Sequence, residues 1–218
     1  MTSTSFAPPP DRARLRSHPE RAVQDIDFLH EVLNEALLCH VAFAMEGQPF
    51  VLPMAYAYRD RRVYLHGSVQ SRTLRHLAEG HPACIALTLL DGLVLARSGL
   101  YHSMNYRSLT LFGWAERVDD EGEKTWALEA FVERLFPGRQ AELRPTSATE
   151  QRATLVIAFQ IEEFSGKRRA GGPKDPPADL DWPCWAGELP LRLQSQQARR
   201  AESCPGEAPP PLLRSPAG

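Results

Sequence analysis

The chain has 218 residues, of which 43% are hydrophobic and 24% are charged, values typical of a globular protein that buries its core without disulfide or metal support. Its formal net charge of −2 offers no basic surface for nucleic acid, so we expect no nucleic-acid partner. The four cysteines show no CxxC spacing and no apolar run approaches the roughly 18 residues of a membrane span, so we expect no metal site and no membrane partner.

The two ends of the chain differ in composition from the middle. Residues 1–21 are rich in proline and arginine and lack the apolar segment of a secretory signal, which predicts a flexible N-terminal arm and a cytoplasmic protein. Residues 194–218 hold a polar run and then a proline cluster, a composition that predicts a disordered tail. We therefore expect one folded domain over residues 22–193.

The first half of this domain combines a helix with three strands. Apolar residues recur at helical spacing over 26–36, and Asp25 stands at the N-cap position. Two β-like runs, 37–45 and 50–58, are joined by a short turn and predict a hairpin. A third strand is predicted over 63–66.

The second half of the domain adds further strands and two helices. A helix is predicted over 69–79, and the dipeptide Asp91-Gly92 is a hairpin signal between the apolar runs 83–90 and 93–97. The remaining elements are a strand over 106–118 with a candidate bulge at Gly113, a helix over 124–136 and a strand over 153–164. Six or seven strands with a few helices predict a mainly β (α+β) fold, an antiparallel barrel with helical additions.

The sharpest local feature is the segment YLHGSVQSRTLR, residues 64–75. A strand ends at His66, Ser68 stands where a helix N-cap belongs, and Ser71 and Arg72 fall in the first helical turn. Free N–H groups, two hydroxyls and a guanidinium suit a phosphate group. The alternative interpretation is a well-capped helix that carries a surface arginine.

Two other segments could line a ligand site. Pro53 and Met54 lie in a predicted strand where the proline interrupts ladder hydrogen bonding, so freed backbone groups could meet the polar edge of a planar ring. The alternative is a simple edge strand. Asn105, Tyr106 and Arg107 end a long polar and aromatic connection between two strands, and such loops often line sites, although each residue could equally be a solvated loop residue.

The order of these motifs resembles a known family. The sequences HGSxxSRxLR, LDGLVLARS, HSMNYRSLTLFGWA and WAGELPL follow one another as in the flavin-nucleotide-binding group of the pyridoxamine-5′-phosphate-oxidase-like superfamily, which includes nitroimidazole-resistance proteins. The resemblance spans about residues 14–193. It implies a split β-barrel of the FMN-binding type that forms a homodimer with FMN at the subunit interface; haem, which some members bind, and a deazaflavin remain alternatives.

The resemblance also implies roles for the residues above. Ser71 and Arg72 resemble phosphate ligands with His66 and Ser68 adjacent, while Pro53 and Met54 resemble the strand along the isoalloxazine ring. Asn105, Tyr106 and Arg107 resemble the strand start that faces the cofactor. His66 is the histidine best placed either to donate to the flavin or to serve as an axial haem ligand.

The implied activity is an FMN-dependent oxidoreductase that takes electrons from NAD(P)H and reduces a small electrophile such as a nitroaromatic or a quinone. The alternative is a flavin- or haem-binding carrier or sensor without turnover. The domain ends in WAGELPLRL, whereas true pyridoxamine-phosphate oxidases carry an arginine-rich substrate signature there, so we do not expect vitamin B6 oxidation.

Overall fold

The computed structural model describes residues 11–204 and 206. The chain divides into two compact units: the first holds the chain up to Leu89 together with Ser108–Arg168, and the second holds Leu90–Arg107 together with the chain from Arg169 onward. Most of the predicted N-terminal arm (residues 1–10) and of the predicted tail (residues 205 and 207–218) lie outside the described residues.

Within the described part of the chain the elements are four α-helices and nine strands. The helices are α1 (Ile26–Glu35), α2 (Arg72–Ala78), α3 (Glu121–Leu135) and α4 (Ala148–Ala153). The strands are β1 (Ala22–Val23), β2 (Cys39–Met45), β3 (Gln48–Met54), β4 (Ala57–Arg59), β5 (Arg62–Ser68), β6 (Glu79–Leu95), β7 (Ser103–Arg117), β8 (Thr154–Arg169) and β9 (Gly187–Pro190).

The strands of the first unit follow the order β3-β2-β6-β7-β8-β5-β4, with β1 on β8. The pairs β1/β8, β2/β3, β2/β6, β4/β5 and β5/β8 are antiparallel. In the second unit β9 pairs antiparallel with the last residues of β6. The predicted class, a mainly antiparallel β protein with a few helices, is confirmed.

Helix α1 shows why the sequence folds as it does in the first unit. The Asp25 carboxylate accepts a hydrogen bond from the Asp27 backbone N–H at 2.9 Å and caps the helix, as predicted. One face of α1 and the centre of β8 then contribute to the same apolar core, which includes Phe28, Leu29, Val32, Leu33, Val156, Ile157 and Phe159. Burial of these side chains supplies the main driving force for the fold.

Gly113 lies inside β7 for a steric reason. A Cβ added to this residue would lie 1.9 Å from the carbonyl oxygen of Gln160 on β8. The backbones of β7 and β8 approach each other too closely at Gly113 for any side chain. The glycine, which was a candidate bulge in the sequence, therefore permits this close approach.

The predicted hairpin turn at Asp91-Gly92 is wrong. β6 continues without interruption through both residues, and Gly92 lacks the positive φ that a type I′ turn requires. Gly92 instead pairs with Pro190 of β9. Pairing with β9, almost a hundred residues later in the sequence, therefore keeps this segment in a strand.

Membrane insertion through a helix finds no support in the described residues, since none of their helices combines the length and apolar composition that a span requires.

Candidate functional site

The segment that joins β5 to α2 carries four of the predicted site residues. β5 pairs with β8 as far as Ser68, which lies opposite Thr154, so the strand extends two residues beyond His66. The N-cap of α2 is consequently Ser71, whose Oγ accepts from the Leu74 backbone N–H at 3.3 Å. The prediction of an N-cap at Ser68 is wrong, because Ser68 pairs with Thr154 as the last residue of β5.

Ser68, Ser71 and Arg72 nevertheless lie close together. The Ser71 backbone N–H donates to the Ser68 carbonyl at 2.9 Å, and Ser68 Oγ accepts from the Gln70 N–H at 3.1 Å. Each hydroxyl keeps its own O–H as a donor. Arg72 is exposed, its guanidinium carbon lies 5.5 Å from the centre of the Phe50 ring, and no carboxylate within the described residues pairs with it.

These groups can meet an anion mainly through their side chains. Helix α2 has seven residues, too short for a strong macrodipole, and the Leu74 N–H is already used by the cap. The guanidinium and the two hydroxyls therefore carry the predicted phosphate contact, which remains a prediction.

His66 lies near the end of β5, two residues before Ser68. It pairs with Val156 in the ladder, and its ring meets Phe131 of α3 edge-on with 4.1 Å between ring centres. Its Nδ1 is buried and has no hydrogen-bond partner. Burial lowers the pKa of His66, which favours the neutral imidazole with a free lone pair.

Pro53 and Met54 lie at the end of β3. This strand ends the strand order and pairs with β2, with Pro53 opposite His40 and Met54 opposite Cys39. A proline at this position is compatible with an edge strand, since it lacks an N–H to donate. Pro53 is exposed and Met54 half-buried; their contact with a planar ring remains a prediction.

Asn105, Tyr106 and Arg107 belong to the second unit, at the start of β7. Asn105 and Arg107 are buried on one face of the strand, and Tyr106, half-buried, points to the other face because side chains alternate along a strand. The three side chains therefore cannot contact one ligand from a single face.

Arg107 and Asn105 are held by partners within the second unit. Arg107 donates from Nε to Asp91 Oδ2 at 3.1 Å and from Nη2 to Asp91 Oδ1 at 2.7 Å. Asn105 Nδ2 donates to Glu188 Oε2 at 2.6 Å, and Asn105 Oδ1 accepts from Arg169. Buried polar groups require such partners, so both residues have a clear structural role.

A further ion pair completes this polar cluster of the second unit. Arg97 donates to Asp175 from its backbone N–H at 2.9 Å and from Nη1 at 2.8 Å. The backbone hydrogen bond and the guanidinium lower the pKa of Asp175. Sequence reasoning missed Asp91, Asp175 and Glu188 because their partners lie between 16 and 83 residues away in sequence, where no local pattern signals a pairing.

The first unit also contains an open pocket of about 420 Å³. It is lined by Arg59, Asp60, Arg62, Tyr64, Asp120, Gly122, Glu123 and Trp126 and includes no predicted site residue. Tyr64 donates to Glu123 at 2.6 Å, Arg62 donates to the same carboxylate at 3.1 Å, and Arg59 lies 3.6 Å above the Trp126 ring. Arg59 lies 3.6 Å from Asp60 and Arg62 pairs with Glu123, so both guanidiniums of the pocket have carboxylate partners.

Comparison with known proteins identifies the family. The sequence profile of pyridoxamine 5′-phosphate oxidase matches residues 25–168, and the chain belongs to this family. The family and the open antiparallel sheet agree with the predicted split barrel. A comparison with curated proteins gave no match.

Three solved structures illustrate the likeness. The flavocytochrome Anf3 from Azotobacter vinelandii is 37% identical with a TM-score of 0.85, and the match covers 93% of this chain and 94% of that one. The FAD and haem binding protein from Mycobacterium smegmatis is 36% identical with a TM-score of 0.81, over 88% and 94% of the two chains. A candidate 5-nitroimidazole antibiotic resistance protein from Bacteroides thetaiotaomicron is 24% identical with a TM-score of 0.57, over 67% and 85%, and shares the fold.

Proposed function

We propose that this chain is a redox protein that binds a flavin nucleotide and haem. The observation that carries the proposal is the similarity to two proteins, a flavocytochrome and an FAD and haem binding protein, at 37% and 36% identity. Both matches extend over most of this chain and of the other, so they include the second unit as well as the family region. The nitroimidazole-resistance likeness supports the fold alone.

The β5–α2 segment supports flavin binding. An exposed arginine without a carboxylate partner in the described chain, next to two serine hydroxyls, is suited to bind the phosphate of a flavin nucleotide. This fit applies to FMN, which the motifs predicted, and to FAD. We favour FAD because the Mycobacterium smegmatis protein is described as binding it.

His66 supports haem binding. An iron ligand must present a neutral imidazole nitrogen, and the Nδ1 of His66 is buried, has no hydrogen-bond partner and belongs to a ring whose pKa is lowered by burial. Within the described residues, no other histidine has a ring nitrogen that is both buried and without a hydrogen-bond partner. We therefore assign His66 as the candidate axial ligand.

The flavin would accept a hydride from NAD(P)H and the haem would accept electrons one at a time, so the two groups together would link a two-electron donor to a one-electron acceptor. A small electrophile such as a nitroaromatic or a quinone is the proposed final acceptor. The protein's part is to position the cofactors.

A homodimer is the proposed assembly. The second unit carries large apolar side chains in contact with solvent, among them Leu100 at 86%, Trp182 at 67% and Trp185 at 66% exposure. Apolar residues this exposed are frequent where a protein surface is covered by a partner. Light scattering after size-exclusion chromatography should give twice the chain mass of 24.4 kDa; a mass of one chain would refute the dimer.

The cofactors are tested on the purified protein by its visible spectrum and by mass spectrometry of the acid-extracted flavin. We expect flavin absorption together with a Soret band, and an extracted mass of FAD. A spectrum without flavin would overturn the proposal, a flavin spectrum without a Soret band would remove haem from it, and an FMN mass would replace FAD.

Two histidine variants test the haem ligand. His66→Ala should lose or shift the Soret band, whereas His40→Ala, an exposed histidine on β2, should keep it. An unchanged Soret band in His66→Ala would refute the ligand assignment. Anaerobic addition of NADH or NADPH then tests turnover: bleaching of the flavin supports the oxidoreductase, and a flavin that neither donor reduces favours a carrier or sensor.

A further inference from the structure

We propose that His76, Glu79 and His81 form a binding site for a divalent transition-metal ion of the zinc type. The three residues lie in the first unit, where α2 ends and β6 begins. The proposal departs from the expectation of no metal site, which was based on the cysteine spacing alone. One potential ligand atom from each lies within 4.8 Å of the other two. The site involves none of the residues assigned to the flavin or haem above, so it does not depend on that proposal.

The distances suit a small tetrahedral ion. The Nε2 of His81 lies 3.2 Å from Glu79 Oε2. Ligands about 2.1 Å from a tetrahedral zinc ion are separated from one another by about 3.4 Å. The His81–Glu79 pair already has this spacing, and rotations of these two exposed side chains would bring them to the half-buried His76.

His76 is held in the orientation of a metal ligand. Its Nε2 lies 3.0 Å from the carbonyl oxygen of Ala44, and because a carbonyl only accepts, Nε2 carries the proton. The lone pair is therefore on Nδ1. A histidine that binds metal through one nitrogen commonly donates its other N–H to a backbone carbonyl, which fixes the ring and its tautomer.

The backbone also supports the arrangement. Gly80, between Glu79 and His81, has a φ of +81°, a left-handed conformation that side-chain-bearing residues rarely adopt. Helix α2 ends at Ala78 and β6 begins at Glu79, so the helix passes directly into the strand. The rings of His76 and His81 stack in parallel with 4.1 Å between their centres, and the His81 ring must turn for both lone pairs to meet one ion.

The ligand types select the metal. Two imidazoles and one carboxylate favour zinc and its neighbours in the transition series over calcium or magnesium, which prefer oxygen ligands alone. Three protein ligands leave a fourth position for water. Binding would replace the present contact between His81 Nε2 and Glu79 Oε2 by a bond from each atom to the ion.

The chain contains its own control. His18 and Glu20 form a comparable pair, with His18 Nδ1 3.0 Å from Glu20 Oε1, but no third ligand from the described residues joins them. A two-residue pair of this kind should bind the ion much more weakly. His18→Asn is therefore the matched control for His81→Asn.

The test is calorimetric titration of Zn²⁺ into the purified, chelator-treated protein. The exposed thiols are removed first by Cys184→Ser and Cys204→Ser, since thiolates also bind zinc. We expect one ion per chain in this background and after His18→Asn. The affinity should fall by about tenfold or more after His81→Asn or Glu79→Gln, since even outer-shell changes cost about 10–100-fold.

Binding should also raise the melting temperature, and His81→Asn should abolish that rise when each protein is compared with its own metal-free melting temperature. Absence of zinc binding in the background that lacks the two exposed thiols would overturn the proposal. So would equal affinity before and after His81→Asn and Glu79→Gln.

Discussion

The ion pair between Asp91 and Arg107 allows the role of Arg107 to be measured. Sequence resemblance placed this arginine against the cofactor, whereas in the second unit it makes two hydrogen bonds to one carboxylate, at 3.1 and 2.7 Å. Its side chain is 6% exposed and that of Asp91 is 31% exposed. The perturbations are Asp91→Ala, Arg107→Ala and the double substitution.

The magnitude follows from burial and geometry. Loss of one partner from a buried ion pair costs about 3–5 kcal/mol, and partial exposure of Asp91 places this pair at the lower end. We therefore expect each single substitution to lower the free energy of unfolding by about 3 kcal/mol, which corresponds to roughly 6–12 °C in melting temperature for a chain of this size. The double substitution should lower the free energy of unfolding by about 1–3 kcal/mol less than the sum of the two single losses.

The assay is urea unfolding followed by tryptophan fluorescence, with cofactor content measured separately on the folded variants. Coupling between the two sites, with similar cofactor content in both single variants, supports the structural role. Additive losses of stability would refute the reasoning. A loss of cofactor in Arg107→Ala but not in Asp91→Ala would instead return Arg107 to the ligand site.

Three further outcomes are expected. Gly113→Ala should lower the free energy of unfolding by at least about 3 kcal/mol, because the new Cβ would force two strands apart. Gly99→Ala, where a Cβ would meet nothing within 4 Å, should change it by less than about 0.5 kcal/mol. Equal melting temperatures of the two variants would contradict this. Arg72→Ala should weaken flavin binding roughly tenfold to a hundredfold by fluorescence titration, unlike Arg75→Ala on the same helix, and an unchanged affinity would exclude the phosphate contact. Burial raises the pKa of Cys39 to about 12, so iodoacetamide at neutral pH should leave it unmodified until the protein unfolds, as mass spectrometry would report.

The sequence by itself determined the elements whose signals are local. The apolar spacing and the Asp25 cap predicted α1, and the amphipathic pattern over 124–136 predicted α3 to within three residues at its start. The order of motifs gave the family and its antiparallel barrel. These predictions succeeded because helix periodicity, capping and strand alternation depend on neighbours within a few residues.

Only the tertiary structure decided where distant residues meet. Asp91-Gly92 carries a strong turn signal, yet β9 pairs with Gly92 and Arg107 holds Asp91, so the segment stays a strand. Pairing with β8 extended β5 to Ser68 and moved the helix cap to Ser71.

The same limit applies to the candidate sites. The unpaired nitrogen of His66 depends on burial, and the orientation of His76 depends on a carbonyl 32 residues earlier in the chain. No sequence pattern reports such contacts, because side-chain burial and hydrogen-bond partners are set by strands that pair across the whole chain. The sequence supplied the chemical groups, and the fold determined which of them have hydrogen-bond partners.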